Sequence, residues 1–436
     1  MNFLVNRDGE NWRLDYKVLN NIKLTYYKLV GDFMKRICLI VLLILFLFTN
    51  IVYADDIIEE SLPNEITSVT ASVTTEPEIL SRHAIVVERK TGTILYEKDA
   101  YTPTAMASTT KILTAIVALE NSNLQDEVVI SKKAAGTGGS TLGITANSKM
   151  TMEILLYGLL LRSGNDCAVA IAEHIGKDLE GFSNLMNEKA EEIGLTKSHF
   201  VTPHGLDSDE HYTTAYDMTI LTEYALQNEI FSKIVKTKEI DVQISNYNRH
   251  LNNTHELLGN IYGVYGVKTG FTGNAGRCLV TAVERNGLDV IIVILGADTK
   301  KIRTQDTQKL INYVFENYEM IDTYNLLYDN FELSNFSEQI KVLKSVSNCK
   351  VEIDKMENYM FPVNKNKVNK LKTSVYGLSL IESPVHKGIK VGEFRVLVDN
   401  DILYTLDIKL SADINRKTWN DYLKEIVFNI KSFFVI

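Results

Sequence analysis

From residue 83 onward the hydrophobic positions follow two alternating periods. Residues 84–88 and 93–96 are short apolar runs joined by Lys90, Thr91 and Gly92, which predicts a β-hairpin. Over 110–120, Ile112, Leu113, Ile116, Val117 and Leu119 recur at helical intervals, and 152–161, 168–175, 182–193 and 215–227 repeat that reading. Strand character returns at 263–269, 278–285 and 290–297, with Asn286 and Gly287 as a hairpin turn between the last two. Strands at both ends of a helical stretch predict an α+β domain whose antiparallel sheet, flanked by helices, combines early and late strands. Beyond about residue 324, runs at 339–343, 350–353, 374–380, 392–398 and 402–409 alternate with period two, broken by turns such as Asp399 to Asp401, and predict a small all-β domain. The end of the chain switches again. Trp419, Tyr422, Leu423, Ile426, Val427, Ile430, Phe433 and Phe434 share one helical face, with Arg416, Lys417, Lys424 and Lys431 among the rest. Such a helix either lies in a membrane surface or packs on the β domain.

Upstream of residue 83 the pattern is different. Met34, Lys35 and Arg36 precede an apolar run over 37–52 that ends in Val52, Tyr53 and Ala54, the form of a cleavable signal peptide. The run falls short of the roughly 20 apolar residues that cross a bilayer. The stretch 55–80 is acidic, rich in Ser, Thr and Glu, and carries Pro63 and Pro77, as a linker does. The expected division is an N-terminal extension at 1–33 standing before a good start at Met34, a signal peptide at 34–54 and a linker at 55–80. The α+β domain at 81–322, a β-rich domain at 323–409 and an amphipathic helix at 410–436 complete it. The expected location is outside the cytoplasmic membrane, associated with its surface through the last helix.

Bulk composition narrows the partners. At 436 residues, 45% hydrophobic and 23% charged, the chain has room for two or three domains with their own cores. A formal charge of -9 provides no basic footprint for nucleic acid. Cys38, Cys167, Cys278 and Cys349 show neither metal-ligand nor redox spacing, and the last three are read as small buried residues.

The candidate chemistry begins at Ser108 and Lys111, three residues apart at a predicted helix start, on one face and near the helix's positive end. A serine hydroxyl is a poor nucleophile alone. A lysine within hydrogen-bond reach can take its proton if burial and another cation lower the lysine's own pKa. Alone the S-x-x-K pattern is weak, since roughly two chance matches are expected at ordinary residue frequencies. A second occurs at Ser347 to Lys350, in the strand-rich region. Lys-Thr-Gly also occurs twice, in the hairpin turn at Lys90 and after the apolar strand 264–267 at Lys268, Thr269 and Gly270. Ser163-Gly164-Asn165 lies between, and the set in this order is the signature of penicillin-binding proteins and serine β-lactamases.

From about His83 to the C-terminus the chain resembles the low-molecular-mass penicillin-binding proteins that are D-alanyl-D-alanine carboxypeptidases. The residues surrounding the motifs at 105–111, 159–166, 202–207 and 266–270 are similar to that family as well. The resemblance implies a penicillin-binding-protein-like catalytic domain in which Ser108 attacks the D-Ala-D-Ala carbonyl of peptidoglycan stem peptides and forms an acyl-enzyme. It implies Lys111 as base, Ser163 relaying a proton toward the leaving amine, and Asn165 orienting lysine and substrate. Lys268 holds the terminal carboxylate and keeps Lys111 from protonating, and the backbone NH groups of Ser108 and Phe271 form the oxyanion hole. Thr269 and Arg303 are candidates for gripping the carboxylate, Gly270 belongs to the same substrate-binding strand, and His204 is a nearby loop residue. β-Lactam antibiotics are expected as acylating inhibitors, and neither metal nor cofactor is expected.

Other readings remain at this point. A β-lactamase shares the motifs but needs a deacylating base, commonly a glutamate after the second motif; Glu180 to Asn184 sits too near Ser163. A non-catalytic wall-binding protein keeps the fold without the chemistry. A zinc-dependent DD-peptidase needs a His/Asp cluster with ligand spacing, which is not found in the sequence.

Overall fold

The computed structural model describes residues 76–433, apart from 245–246, 330–332 and 357–358, together with a pairing of Arg7–Asp8 with Asn11–Trp12. The expected signal peptide at 34–54, and nearly all of the extension and linker, lie outside the described residues.

A five-stranded antiparallel sheet forms the centre of the first unit. Its strands are β1 (His83–Glu88), β2 (Ile94–Lys98), β3 (Val264–Thr272), β4 (Gly276–Arg285) and β5 (Leu288–Ala297), in spatial order β2-β1-β5-β4-β3. The first-made strand therefore sits beside the last, with Ile85 opposite Val293. In β5, Ile291, Val293 and Leu295 point into one core while Val290, Ile292 and Ile294 point into another. Both faces are covered, which is why this strand reads as one unbroken apolar run instead of an alternation.

One face carries the helices α1 (Lys111–Asn121), α2 (Met152–Leu161), α3 (Asn165–Gly176), α4 (Leu179–Glu192), α5 (Ala215–Gln227) and α6 (Glu229–Lys236). Side-chain caps start four of them: Thr151, Asp178, Thr214 and Asn228 each accept a first-turn backbone NH. α1 is central, and every residue from Lys111 to Ala118 is buried. The opposite face is covered by α7 (Lys300–Asn317), to which the chain's approach to β1 is also tied. Leu80 N, Ser81 N and Ser81 Oγ all donate to Asp306, and Ile79 is buried.

Beyond Asp322 lies a second, strand-dominated unit with its own core. Its main sheet runs β6-β9-β8-β7, where β6 is Val351–Ile353, β7 Leu371–Gly377, β8 Lys390–Val398 and β9 Asp401–Leu410. It opens with two short helices, Tyr324–Asp329 and Leu333–Gln339. The ring of Phe336 lies against Gly377 and Gly392, where side chains would collide with it. The predicted boundary at 410 falls inside this unit, because Ile414 is buried and pairs with Val385. The terminal helix, α8, begins only at Trp419 and runs to Phe433. Its apolar side chains are exposed, Trp419 by 76% and Phe428 by 71%, and its Glu425 pairs with Lys417 just before the helix. No helix among the described residues is long and apolar enough to cross a membrane.

Candidate active site

Ser108 sits in a 3-10 turn, Ala107–Thr110, that leads into α1, so it precedes the α-helix instead of occupying its first turn. The cause is local. Thr109 Oγ1 donates to Met106 O (2.7 Å) and Thr110 Oγ1 to Ala107 O (2.8 Å), which draws the backbone into the tighter winding. Ala107 has φ of 51°, a conformation that costs an L-residue roughly 1–2 kcal/mol. The loop 202–207 packs closely against it. A side chain at Gly205 would strike the Ala107 carbonyl oxygen, and the Gly205 φ of 83° suits glycine.

Lys111 is buried, and its Nζ lies 2.7 Å from each of three oxygens: Ser108 Oγ, Asn165 Oδ1 and His204 O. Two of these are carbonyl oxygens that only accept. A neutral amine has two N–H bonds and one lone pair. If the two carbonyls take the hydrogens, the lone pair is directed at the serine hydroxyl. Burial, and after it the charge of Lys268, hold the lysine well below its usual pKa, which makes that neutral form accessible.

The second motif arrives through a turn between α2 and α3. Ser163 has φ of 58°, is buried, and makes no hydrogen bond through its hydroxyl to any described protein atom. Asn165 opens α3, with its Nδ2 donating to Gly138 O (2.8 Å) and its backbone NH to Ser140 O (2.7 Å). Asp166 fixes the same loop more firmly. Its carboxylate accepts from the backbone NH groups of Leu142, Gly143 and Ile144 at 2.7–3.2 Å, and from that of Cys167. Asp166 is thus a positioning residue that keeps the loop against Asn165; its place directly after the motif is the only sign of it in the sequence.

The third motif is on β3, the edge strand. A Cβ added at Gly270 would lie 3.1 Å from Ser108 N, Met106 O and Ala107 Cβ, so a side chain there would crowd the turn that carries Ser108. Lys268 is buried, donates to Thr269 O (2.9 Å), and has its pKa lowered to about 7 by burial and then by the Arg303 charge. Thr269 Oγ1 pairs with Thr254 Oγ1 at 2.8 Å, and Phe271 is 52% exposed. Arg303 is buried, not a surface arginine. Its Nη2 donates to Glu256 Oε1 (2.5 Å), and its Nε has no partner among the described residues. The structure therefore joins Ser108, Lys111 and Asn165 by hydrogen bonds, brings Gly270 against them, and links Lys268 and Arg303 to them through charge.

Two histidines support the turn that carries Ser108. His211, absent from the expected site, has Nε2 2.8 Å from Thr110 Oγ1, while its Nδ1 accepts from the NH groups of Val201 (3.0 Å) and Thr202 (3.4 Å). Because Thr110 Oγ1 already donates to Ala107 O, it must accept here, so His211 carries its hydrogen on Nε2 and stays neutral. His204 Nδ1 likewise accepts from Leu206 N (3.2 Å). Burial is the first cause that lowers His204, His211 and the buried His255 to about 4 each. The unfolded chain therefore binds more protons between about pH 6.5 and 4, and stability is lost as pH falls through that window, at roughly 1.4 kcal/mol per pH unit for each proton. Denaturant midpoints at pH 7, 5.5 and 4.5 should drop in that order, and His211→Gln should flatten the slope; a pH-independent midpoint would contradict this account. Among the described residues no cluster of three His, Cys, Asp or Glu side chains could hold a metal, and Cys167, Cys278 and Cys349 are buried and free.

Comparison with known proteins matches residues 70–299 to the D-alanyl-D-alanine carboxypeptidase family. D-alanyl-D-alanine carboxypeptidase DacF of Bacillus subtilis (strain 168) is 32% identical over 352 residues, spanning 79% of this chain and 88% of the relative. Two solved structures are each 25% identical. D-alanyl-D-alanine carboxypeptidase DacD from Francisella tularensis has a TM-score of 0.68 over 81% of this chain and 98% of that one. Penicillin binding protein 5 from Haemophilus influenzae has a TM-score of 0.67 over 79% and 100%.

Proposed function

The chain belongs to the D-alanyl-D-alanine carboxypeptidase family and is a serine-type DD-carboxypeptidase and penicillin-binding protein, and from that premise we propose which of its residues do the work. Ser108 is the nucleophile and Lys111 its base. The observation that carries this is the triple contact of Lys111 Nζ, whose two carbonyl partners leave the amine's lone pair for the Ser108 hydroxyl. Ser108 Oγ attacks the carbonyl of the terminal D-Ala-D-Ala bond as its proton passes to Lys111. The oxyanion that forms is met by the backbone NH groups of Ser108 and Phe271, a pairing supported by the close approach of Gly270 to Ser108 N. The proton that Lys111 took passes through the buried, uncommitted hydroxyl of Ser163 to the departing D-alanine amine as the C–N bond breaks, leaving Lys111 neutral. Water then attacks the acyl-enzyme and gives a proton through Lys111 to Ser108 Oγ as the ester bond breaks, which frees the shortened peptide and restores Ser108.

Lys268, Thr269 and Arg303 are proposed to hold the substrate's carboxylate. Lys268 is the direct cation. Arg303, buried against Glu256, acts on it through charge and through whatever reach its unpaired edge has. The test is mass analysis of the protein after exposure to penicillin, together with D-alanine release from diacetyl-L-Lys-D-Ala-D-Ala. A single adduct on the peptide containing Ser108 is expected; an adduct elsewhere would reject the assignment.

We further infer export across the cytoplasmic membrane and attachment to its outer surface through α8. The exposed apolar side chains of Trp419, Leu423, Ile426, Val427 and Ile430, flanked by Lys417, Lys424 and Lys431, support this. Truncation after Lys417 spares Ile414 and the strand-rich core, and should move the protein from the membrane to the soluble fraction without altering D-alanine release. Retention in the membrane fraction would dismiss the helix as the anchor.

A further inference from the structure

One partly exposed arginine beside the third motif has no anionic partner among the described residues. Arg277, at the start of β4, stands directly opposite Phe271 in register, and its guanidinium lies on the Phe271 ring 3.5 Å from the centroid. Arg89 is held by Glu223 and Asp289, and Arg303 by Glu256. Arg277 is only partly buried and makes no ion pair or side-chain hydrogen bond among the described residues. Its donor fork is thus oriented by the ring and left open, which is the state that receives a carboxylate with least rearrangement.

The substrate orientation proposed above determines which carboxylate this is. With the terminal carboxylate at Lys268 and Thr269 and the scissile carbonyl at the NH of Phe271, the rest of the peptide must leave along the edge of β3 past Phe271, toward the hairpin at Thr272 to Gly276. At about 3.3 Å per residue, the third residue of the stem peptide comes alongside the Phe271–Arg277 stack. We propose that Arg277 is a specificity-determining residue that binds a free carboxylate on the side chain of the stem peptide's third residue. A diamino acid with an unblocked side-chain carboxylate is then preferred over one whose side chain ends in an amine alone.

This inference rests on the site reading above, and the experiment separates the two. The full chain and Arg277→Gln are compared on three pentapeptides whose third residue is meso-diaminopimelate, its side-chain amide, or L-lysine. The wild type should favour the free acid about tenfold or more in kcat/KM, mainly through KM, a size consistent with one charge-assisted hydrogen-bonded pair. Arg277→Gln should lose that preference, while turnover of the lysine peptide and penicillin acylation of Ser108 shift by less than about twofold. Equal handling of acid and amide by the wild type would overturn the proposal. So would an equal loss on all three peptides in the variant, which would mean that Arg277 binds the terminal carboxylate instead. No D-alanine release from any peptide, with no adduct at Ser108, would overturn the underlying reading and this one with it.

Discussion

Replacing Ser108 with alanine is expected to abolish D-alanine release and penicillin labelling together, by at least about 10^4-fold, while leaving the fold intact. Among the described residues the Ser108 hydroxyl hydrogen-bonds only with Lys111 Nζ and, at 3.4 Å, His204 O. Its loss therefore leaves Lys111 with both carbonyl partners and the turn with its Thr109 and Thr110 bonds. The thermal midpoint should stay within about 2–4 °C of wild type, since less than roughly 1 kcal/mol is at stake in a domain of this size. Labelling that survives in Ser108→Ala would point to another nucleophile, and Ser163 would be the first to examine.

Lys111→Ala should slow acylation by penicillin about 10^2- to 10^4-fold, the range that removal of a positioned general base commonly costs. Magnitude alone does not identify a base, because the substitution also strips the hydrogen-bond donor from Asn165 Oδ1 and His204 O. The pH profile does. In the wild type the acylation rate rises with pH as Lys111 loses its proton below the usual lysine range. It should fall again above about pH 7 as Lys268 is neutralised and its attraction for the carboxylate fades. The residual rate of Lys111→Ala should lack the acidic limb and keep the alkaline one. A variant that kept both limbs would show that some other group accepts the serine proton.

The helices α1, α2 and α5 and the strands of the central sheet were legible in the sequence because apolar residues dominate their buried sides, with only scattered exceptions such as Lys111, Thr114 and Asp217. α7 was not placed among the elements, although it is the longest described helix of the first unit. Its buried face includes Arg303, Asp306 and Thr307, and these polar residues interrupt the hydrophobic period that the reading relies on. The hairpin Glu239–Ile244 with Tyr247–Asn252 was missed although its first strand alternates polar and apolar residues, because its second strand buries only Leu251 and offers no matching alternation. At the site, three short motifs named residues that the structure brings together, Ser108, Lys111 and Asn165 by hydrogen bonds and Gly270 by close approach. His211 and Asp166 escaped because they act through backbone amides and a threonine hydroxyl, partners that leave no spacing pattern. Arg303 could be singled out by position, but its burial against Glu256 depends on two segments that only the fold brings together.

The order of strands in the central sheet also bears on how such a chain is delivered to its place of work. β1 is made early, yet its partner β5 is not complete until Ala297 has been synthesised, and Ile85 waits more than two hundred residues for Val293. Contacts of such sequence separation form slowly, because loop-closure entropy is lost before they give any return. Until then β1 and β2 form only a lone hairpin, which has little stability by itself. On the export route proposed above, a nascent chain with this topology would stay threadable through a narrow translocation pore until β5 is made, and would close its central sheet once that strand has passed.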